Sequence, residues 1–87
     1  MNDSLKITYT QIHDAALIWI HSLPSGRVFS NQELYGRVEQ MFPNAWRNRG
    51  DAAREPKYRN DARWAVQHAK RDGLVKDTNK RGQHRKL

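Results

Sequence analysis

A segment of 15 residues, Tyr58 to Asp72, carries side chains whose types and spacing suit hydrogen bonding to the edges of nucleic-acid bases. Pro56 stands just before it and Gly73 directly after it, which is typical of the start and end of a helix. At about 100° per residue, a helix here separates polar from apolar positions. Its polar side comprises Asn60, Arg63, Trp64, Gln67 and Arg71.

These side-chain types match the chemistry of the major groove. Arginine pairs with guanine, asparagine and glutamine pair with adenine, and an apolar surface contacts the thymine methyl group. We therefore take Asn60, Arg63, Trp64 and Gln67 as the candidate base-reading residues. Two simpler interpretations stay open: a charged helix face is often only solvated, and Trp64 can pack beneath a loop or wing instead of contacting a ligand.

The opposite side of this helix is narrow and rich in alanine, a composition that lets a helix lie close against its neighbours. It comprises Tyr58, Ala62, Ala65, Val66 and Ala69. We expect this side to face the core, so that the polar side is presented outward.

The charge distribution indicates a polyanionic partner. The 87 residues carry 16 Lys and Arg against 9 Asp and Glu, for a formal net charge of +7. From Arg47 onward there are 13 basic and 5 acidic residues, whereas the first 46 residues carry 3 and 4. A membrane surface would also attract such charge, but the helix predicted over residues 58–72 lacks the broad apolar face that interfacial insertion needs.

Several classes of site and location are disfavoured by composition. There is no cysteine, and His13, His21, His68 and His84 lack the spacing of metal ligands, so we expect neither a metal nor a cofactor. No run of residues is apolar enough to span a membrane, and the amino terminus lacks a signal-peptide core. We expect a cytoplasmic, nucleoid-associated protein.

The remaining segments predict one domain, residues 1–87, with the element order helix, strand, helix, helix, strand, strand. Thr8 with Gln11, and Ser30 with Glu33, are spaced as capping boxes for the first two helices. Gly36 within the second helix suggests close helix packing.

Residues 43–56 predict a loop, in which Trp46 covers the core from outside. Residues 74–75 and 83–87 predict a hairpin that needs a third strand, and residues 27–29 are the candidate.

This order predicts an α+β fold that resembles a winged helix-turn-helix domain. More narrowly, the run YRNDARWA at 58–65, followed by KRDGL at 70–74, resembles the amino-terminal DNA-binding domain of Mrr-type restriction endonucleases. That resemblance implies double-stranded DNA as the partner. It also implies a role in reading a target sequence or a modified base such as N6-methyladenine, within a bacterial restriction-modification system.

One departure from that family concerns catalysis. Such proteins carry a separate nuclease domain, and this sequence contains neither a nuclease-like Glu-x-Lys after an aspartate nor a His-Asn-His cluster. We therefore expect this chain to have no enzymatic activity of its own and no small-molecule substrate, although it can be the specificity domain of a restriction endonuclease. A stand-alone transcriptional regulator, an RNA-binding domain and a protein-interaction winged helix stay open as alternatives.

Phosphate contacts are expected around the helix predicted over residues 58–72, at the start of the second helix and on the predicted hairpin. Basic residues neutralise backbone charge, and free amides at a helix start bind anions. The candidates are Ser30, Asn31, Gln32, Arg47, Arg49, Lys57, Arg59, Arg71, Lys80, Arg81, His84 and Arg85.

Overall fold

The computed structural model describes residues 8–43 and 57–87, with the side chain of Lys57 outside the description. The described elements are α1 (Tyr9–Ser22), β1 (Val28–Ser30), α2 (Asn31–Met41), α3 (Lys57–Arg71), β2 (Val75–Asp77) and β3 (Gln83–Lys86). This is the predicted element order, and each boundary lies within about two residues of the expected one. The predictions for residues 44–56, including the loop and Trp46, fall outside the described residues.

The three strands form one antiparallel sheet in the order β1-β3-β2. Phe29 of β1 and Asp77 of β2 both pair with His84 of β3. The third strand predicted for the hairpin is therefore present, and the fold is the expected α+β arrangement of a small winged helix. The β2–β3 hairpin, residues 75–86, is called the wing below.

Local capping fixes where the first two helices begin. The Thr8 hydroxyl accepts from the Gln11 amide at 3.2 Å, and the Gln11 side chain accepts from the Thr8 amide at 2.9 Å, which completes a capping box. Ser30 accepts from the Glu33 amide at 3.0 Å. In a capping box the Glu33 side chain would accept in return from the Ser30 amide. Here the Glu33 carboxylate pairs with Arg27 instead. That hydrogen bond lowers the pKa of Glu33.

The core forms mainly where α1 packs against α3. The predicted inner side of α3 is buried throughout, since Tyr58, Ala62, Ala65, Val66 and Ala69 are at most 3% exposed. Alanine permits this close contact because it adds little bulk between the two backbones. The sheet covers one end of the core through Phe29 and Val75, and Trp19 packs edge-on against Phe29.

Four details differ from expectation. Ile20, which periodicity predicts only to flank the apolar face of α1, is completely buried, and Met41, which it predicts in the apolar stripe of α2, is exposed. Tyr35, which the sequence pattern did not mark, is buried. Gly36 does not mark close packing against any described element, since a Cβ placed there would meet no atom of residues 8–43 or 57–87 within 4 Å.

Candidate nucleic-acid interface

The outer side of α3 presents an aromatic ring between two amides. Asn60, Trp64 and Gln67 are exposed, and Trp64 retains 49% of its accessible surface. The indole rests on the ring of His68, with centroids 5.9 Å apart. Burial of the alanine-rich side thus turns the opposite side outward, because the two sides of one helix cannot both face the core.

Arg63 lies at the edge of this surface and is partly buried. Its Nη1 donates to the hydroxyl of Tyr35 at 2.8 Å, so α2 fixes the direction of the guanidinium. A side chain held in this way loses less conformational freedom when it contacts a ligand. The guanidinium is not completely buried, so part of it reaches the surface.

Arg59 is also held against α2. Its guanidinium carbon lies 5.0 Å from the ring centroid of Tyr35 and 6.0 Å from that of Tyr58, and Nη2 is 4.0 Å from Glu39. The Tyr58 hydroxyl donates to Glu39, and the pKa of Tyr58 is raised, first by burial and then by that carboxylate. The charge of Arg59 is thus partly offset by Glu39 at the flank of α3.

Arg71 lies beyond the other end of the outer side. Its side chain is well exposed and its Nε lies 3.3 Å from the Asp72 carboxylate. Exposed pairs of this kind are weak, about 0–1 kcal/mol. Arg71 can therefore leave Asp72 for a phosphate at little cost.

The start of α2 differs from the expected set of free amides. The amide of Asn31 donates to the carbonyl of Gly82 at 2.8 Å, and the Ser30 hydroxyl is occupied as a helix cap. The Asn31 side chain is occupied too, since its Oδ1 is bound to His84. Of the three expected phosphate contacts here, Ser30 and Asn31 are therefore committed to the fold, and Gln32 is the exposed one.

His84 is not placed for the expected phosphate contact. It is 6% exposed, and its ring nitrogens lie 2.9 Å from Asp77 Oδ1 and 2.8 Å from Asn31 Oδ1. His84 therefore ties the wing to α2. The sequence pattern could not reveal this role, because Asn31 lies 53 residues away in the chain.

The tip of the wing carries exposed cations over an open cavity. Lys80 and Arg81 are exposed, and they line a cavity of about 260 Å³ between the wing turn and the start of α2. Lys70 of α3 reaches the same cavity and binds the Asp77 carboxylate at 3.2 Å. The pKa of Asp77 is lowered, first by this hydrogen bond. Arg85 lies exposed on β3, next to β1.

Three expected phosphate contacts have no described side chain. Arg47 and Arg49 fall outside the described residues, and so does the side chain of Lys57, although its backbone begins α3. Their assignment stays a sequence-based prediction.

Sequence reasoning missed the partners that hold this surface. Tyr35 orients Arg63 from 28 residues away, and His13 contacts His68 from 55 residues away. A tyrosine beside the apolar stripe of α2 was the available signal for the first contact. No periodicity in the sequence pairs the two histidines.

Within residues 8–43 and 57–87, no group of three or more His, Cys, Asp or Glu side chains is arranged to hold a metal ion. The helices described here are all too short or too polar to cross a membrane.

Comparison of the chain with protein-family models, with curated proteins and with solved structures gives no match. The resemblance to Mrr-type domains therefore stays a prediction from the motif, and the proposal below depends on the geometry and charge of the chain itself.

Proposed function

We propose that this chain binds double-stranded DNA, with α3 in the major groove and the wing against the backbone. The observation that carries the proposal is the half-exposed Trp64 on a helix whose other side is buried in the core. An indole in water gains nothing for folding, whereas in the groove it has a methyl group to cover. The net charge of +7 supplies the sequence-independent attraction.

Base reading falls to the exposed amides and to Arg63. Asn60 and Gln67 lie about one turn to either side of the helix centre, where each amide is suited to a bidentate contact with adenine. Arg63, which is partly exposed and held by Tyr35, offers guanine a guanidinium. Trp64 covers a thymine methyl or an N6-methyl group.

Phosphate contacts surround this reading surface. Arg59 and Arg71 flank it on α3, with Lys57 at the start of the helix, and Gln32 lies at the start of α2. Lys80, Arg81 and Arg85 belong to the wing, where they meet the backbone or the adjacent minor groove. Such contacts set register and orientation and carry no sequence information of their own.

We further propose that the chain is the sequence-reading or methylation-reading module of a restriction-type system. The motif at 58–65 and 70–74 supports this finer role, together with the position of Trp64 among groups suited to adenine. A methyl group on adenine N6 adds apolar surface where the indole is offered.

A binding selection from a random duplex pool tests the proposal, run in parallel on unmethylated, adenine-methylated and cytosine-methylated pools at low salt. We expect enrichment of a short motif containing adenine. Single-stranded RNA of equal length serves as competitor. Equal enrichment of all sequences would remove the reading role, RNA that displaces duplex would move the function to RNA, and no retention of any duplex would contradict DNA binding itself.

Trp64→Ala and Ile18→Ala form a matched pair for this selection. Both remove an exposed apolar side chain, but Ile18 lies on α1, outside the proposed surface, and is 69% exposed. We expect the enriched motif to disappear with Trp64→Ala and to persist with Ile18→Ala.

A further inference from the structure

A chain of three polar side chains runs from α1 to α3 beside Trp64. Asp14 Oδ1 lies 3.1 Å from Nδ1 of His13, and Nε2 of His13 lies 2.7 Å from Nδ1 of His68. The imidazole centroids are 4.8 Å apart. The rings thus meet through their nitrogens, at hydrogen-bond distance.

The Asp14 carboxylate determines which nitrogen of each imidazole carries a proton in this hydrogen-bond chain. An ionised carboxylate only accepts hydrogen bonds, so His13 carries its proton on Nδ1 and leaves Nε2 as an acceptor. His68 must then donate through Nδ1–H, since a second acceptor would leave that contact without a proton. In the neutral state the other nitrogen of His68, Nε2, is an acceptor, and it has no hydrogen-bond partner within the described residues.

We propose that His68 is a further DNA-contacting residue, which binds a backbone phosphate through Nε2–H once it has taken up a proton. This inference rests on the proposed function. His68 lies one turn beyond Trp64 on the same side of α3, and the indole packs against its ring. Neutral His68 offers phosphate only a lone pair, whereas the imidazolium offers a donor and a positive charge.

Protonation of His68 at Nε2 leaves the rest of the hydrogen-bond chain intact. His68 still donates through Nδ1–H to His13, and His13 still donates to Asp14. From α1, the groups at the pair are His13, Asp14 and Tyr9, whose ring packs on His13 at 5.3 Å.

On α3, His68 lies in the last helical turn. The nearby cations Lys70 and Arg71 are already paired with Asp77 and Asp72. DNA then adds a phosphate charge at the remaining nitrogen, so that proton uptake and DNA binding strengthen each other.

Nitrogen-15 NMR of the imidazoles tests the hydrogen-bond chain without DNA. In the neutral state we expect both His13 and His68 to carry the proton on Nδ1, whereas an unconstrained histidine prefers Nε2. The exposed His21 is the internal control. Substitution Asp14→Ala removes a side chain that is 61% exposed, so it preserves the fold, and it should release His13 from this tautomer. Nε2–H on neutral His68 in the intact protein would overturn the assignment.

Duplex binding between pH 8 and pH 6 tests the contact. One linked proton changes affinity by at most about tenfold per pH unit. We expect affinity to rise about three- to tenfold over this range, and the salt dependence to steepen by about 0.9 in logarithmic slope. His68→Gln keeps a polar side chain but cannot take up the proton, so the rise should disappear, while His21→Gln should retain it.

The outcomes separate this inference from the proposed function. Duplex binding that tightens equally in wild type and His68→Gln would overturn the role of His68 and leave the DNA interface standing. Loss of duplex binding at every pH, with the Nδ1–H tautomers present, would overturn the function and this contact together.

Discussion

The hydroxyl of Tyr35 accepts a hydrogen bond from Nη1 of Arg63 at 2.8 Å, and this contact joins the buried side of α2 to the reading surface of α3. Tyr35 is itself 4% exposed, so its hydroxyl is a fixed point from which the guanidinium is aimed. The contact thus connects a core residue of one helix with the proposed specificity of another.

Substitution Tyr35→Phe removes this acceptor and keeps the ring. We expect the free energy of unfolding to fall by about 1 kcal/mol, the typical net value of a hydrogen bond. Affinity for the selected duplex should fall more than affinity for random duplex, because Arg63 loses a hydrogen bond that orients it. Tyr9→Phe, at an exposed tyrosine, is the matched control for both chemical denaturation and binding titrations. Equal losses on both duplexes would show that Tyr35 does not act on base reading.

Trp64→Ala should separate function from stability. The side chain is half exposed, so we expect the free energy of unfolding to change by less than about 0.5 kcal/mol, as at other surface positions. Affinity for the selected duplex should fall at least tenfold. Denaturation and binding are measured alongside Ile18→Ala. A stability loss as large as that of a core substitution would place Trp64 in the fold instead of the interface.

The cations of the wing and those of α3 should contribute differently to DNA affinity. Lys80→Ala should weaken binding to all duplexes alike. It should also reduce the slope of log affinity against log salt concentration by about one unit. Arg63→Ala should instead cost about 1–3 kcal/mol on the preferred site alone. Arg37→Ala, which removes an exposed cation of α2 outside the proposed surface, is the control. The measurement is affinity on both duplexes at several salt concentrations, and identical profiles for the Lys80 and Arg63 variants would refute the division of roles.

Acid should weaken the attachment of the wing through Asp77. The pKa of this carboxyl is lowered in the folded protein, first by the hydrogen bond from Lys70 and also by that from His84. A lowered folded-state pKa contributes stability above the ordinary aspartate value, about 3.9, which is lost as pH falls through the folded-state value. Asp77→Asn should therefore lower Tm at neutral pH, and its difference from wild type should shrink below about pH 4.

Asp72→Asn is the control for this pH series, because Asp72 pairs with its exposed neighbour Arg71. Thermal unfolding followed by circular dichroism between pH 3 and pH 7 supplies the comparison. A Tm difference for Asp77→Asn that stays constant over this whole range would contradict the role given to the carboxylate.

Gly36→Ala should stabilise the protein. The position is exposed within α2 and a Cβ there would meet no atom of the described residues within 4 Å, so alanine adds helix propensity without a clash with them. We expect a gain of about 0.5–1 kcal/mol in the free energy of unfolding. Gly26→Ala is the opposite control, because Gly26 has φ +91° in a turn where a side chain is strained. A loss at Gly36 would restore the interpretation that close packing requires glycine there.

Much of the fold follows from short-range rules that operate within about four residues. The cap at Thr8, the cap at Ser30 and the alanine-rich side of α3 are all visible in the sequence, because helix starts and helix faces depend on neighbours along the chain. The basic hairpin and its need for a third strand follow equally from short runs and turn residues. Met41 is exposed although periodicity predicts it in the apolar stripe of α2, because periodicity places a residue on a face but does not say how far the neighbouring element extends.

The sequence by itself thus determined the order of elements, the buried side of α3 and the excess of positive charge. Tertiary structure alone decided which polar groups already have partners. His84 and Asn31 look like surface contacts in the sequence, yet each satisfies the other across the fold, and His68 gains a donor role only through His13. The physical reason is that a polar group is available to a ligand only after its own hydrogen bonds are accounted for, and those bonds join residues 28 to 55 positions apart.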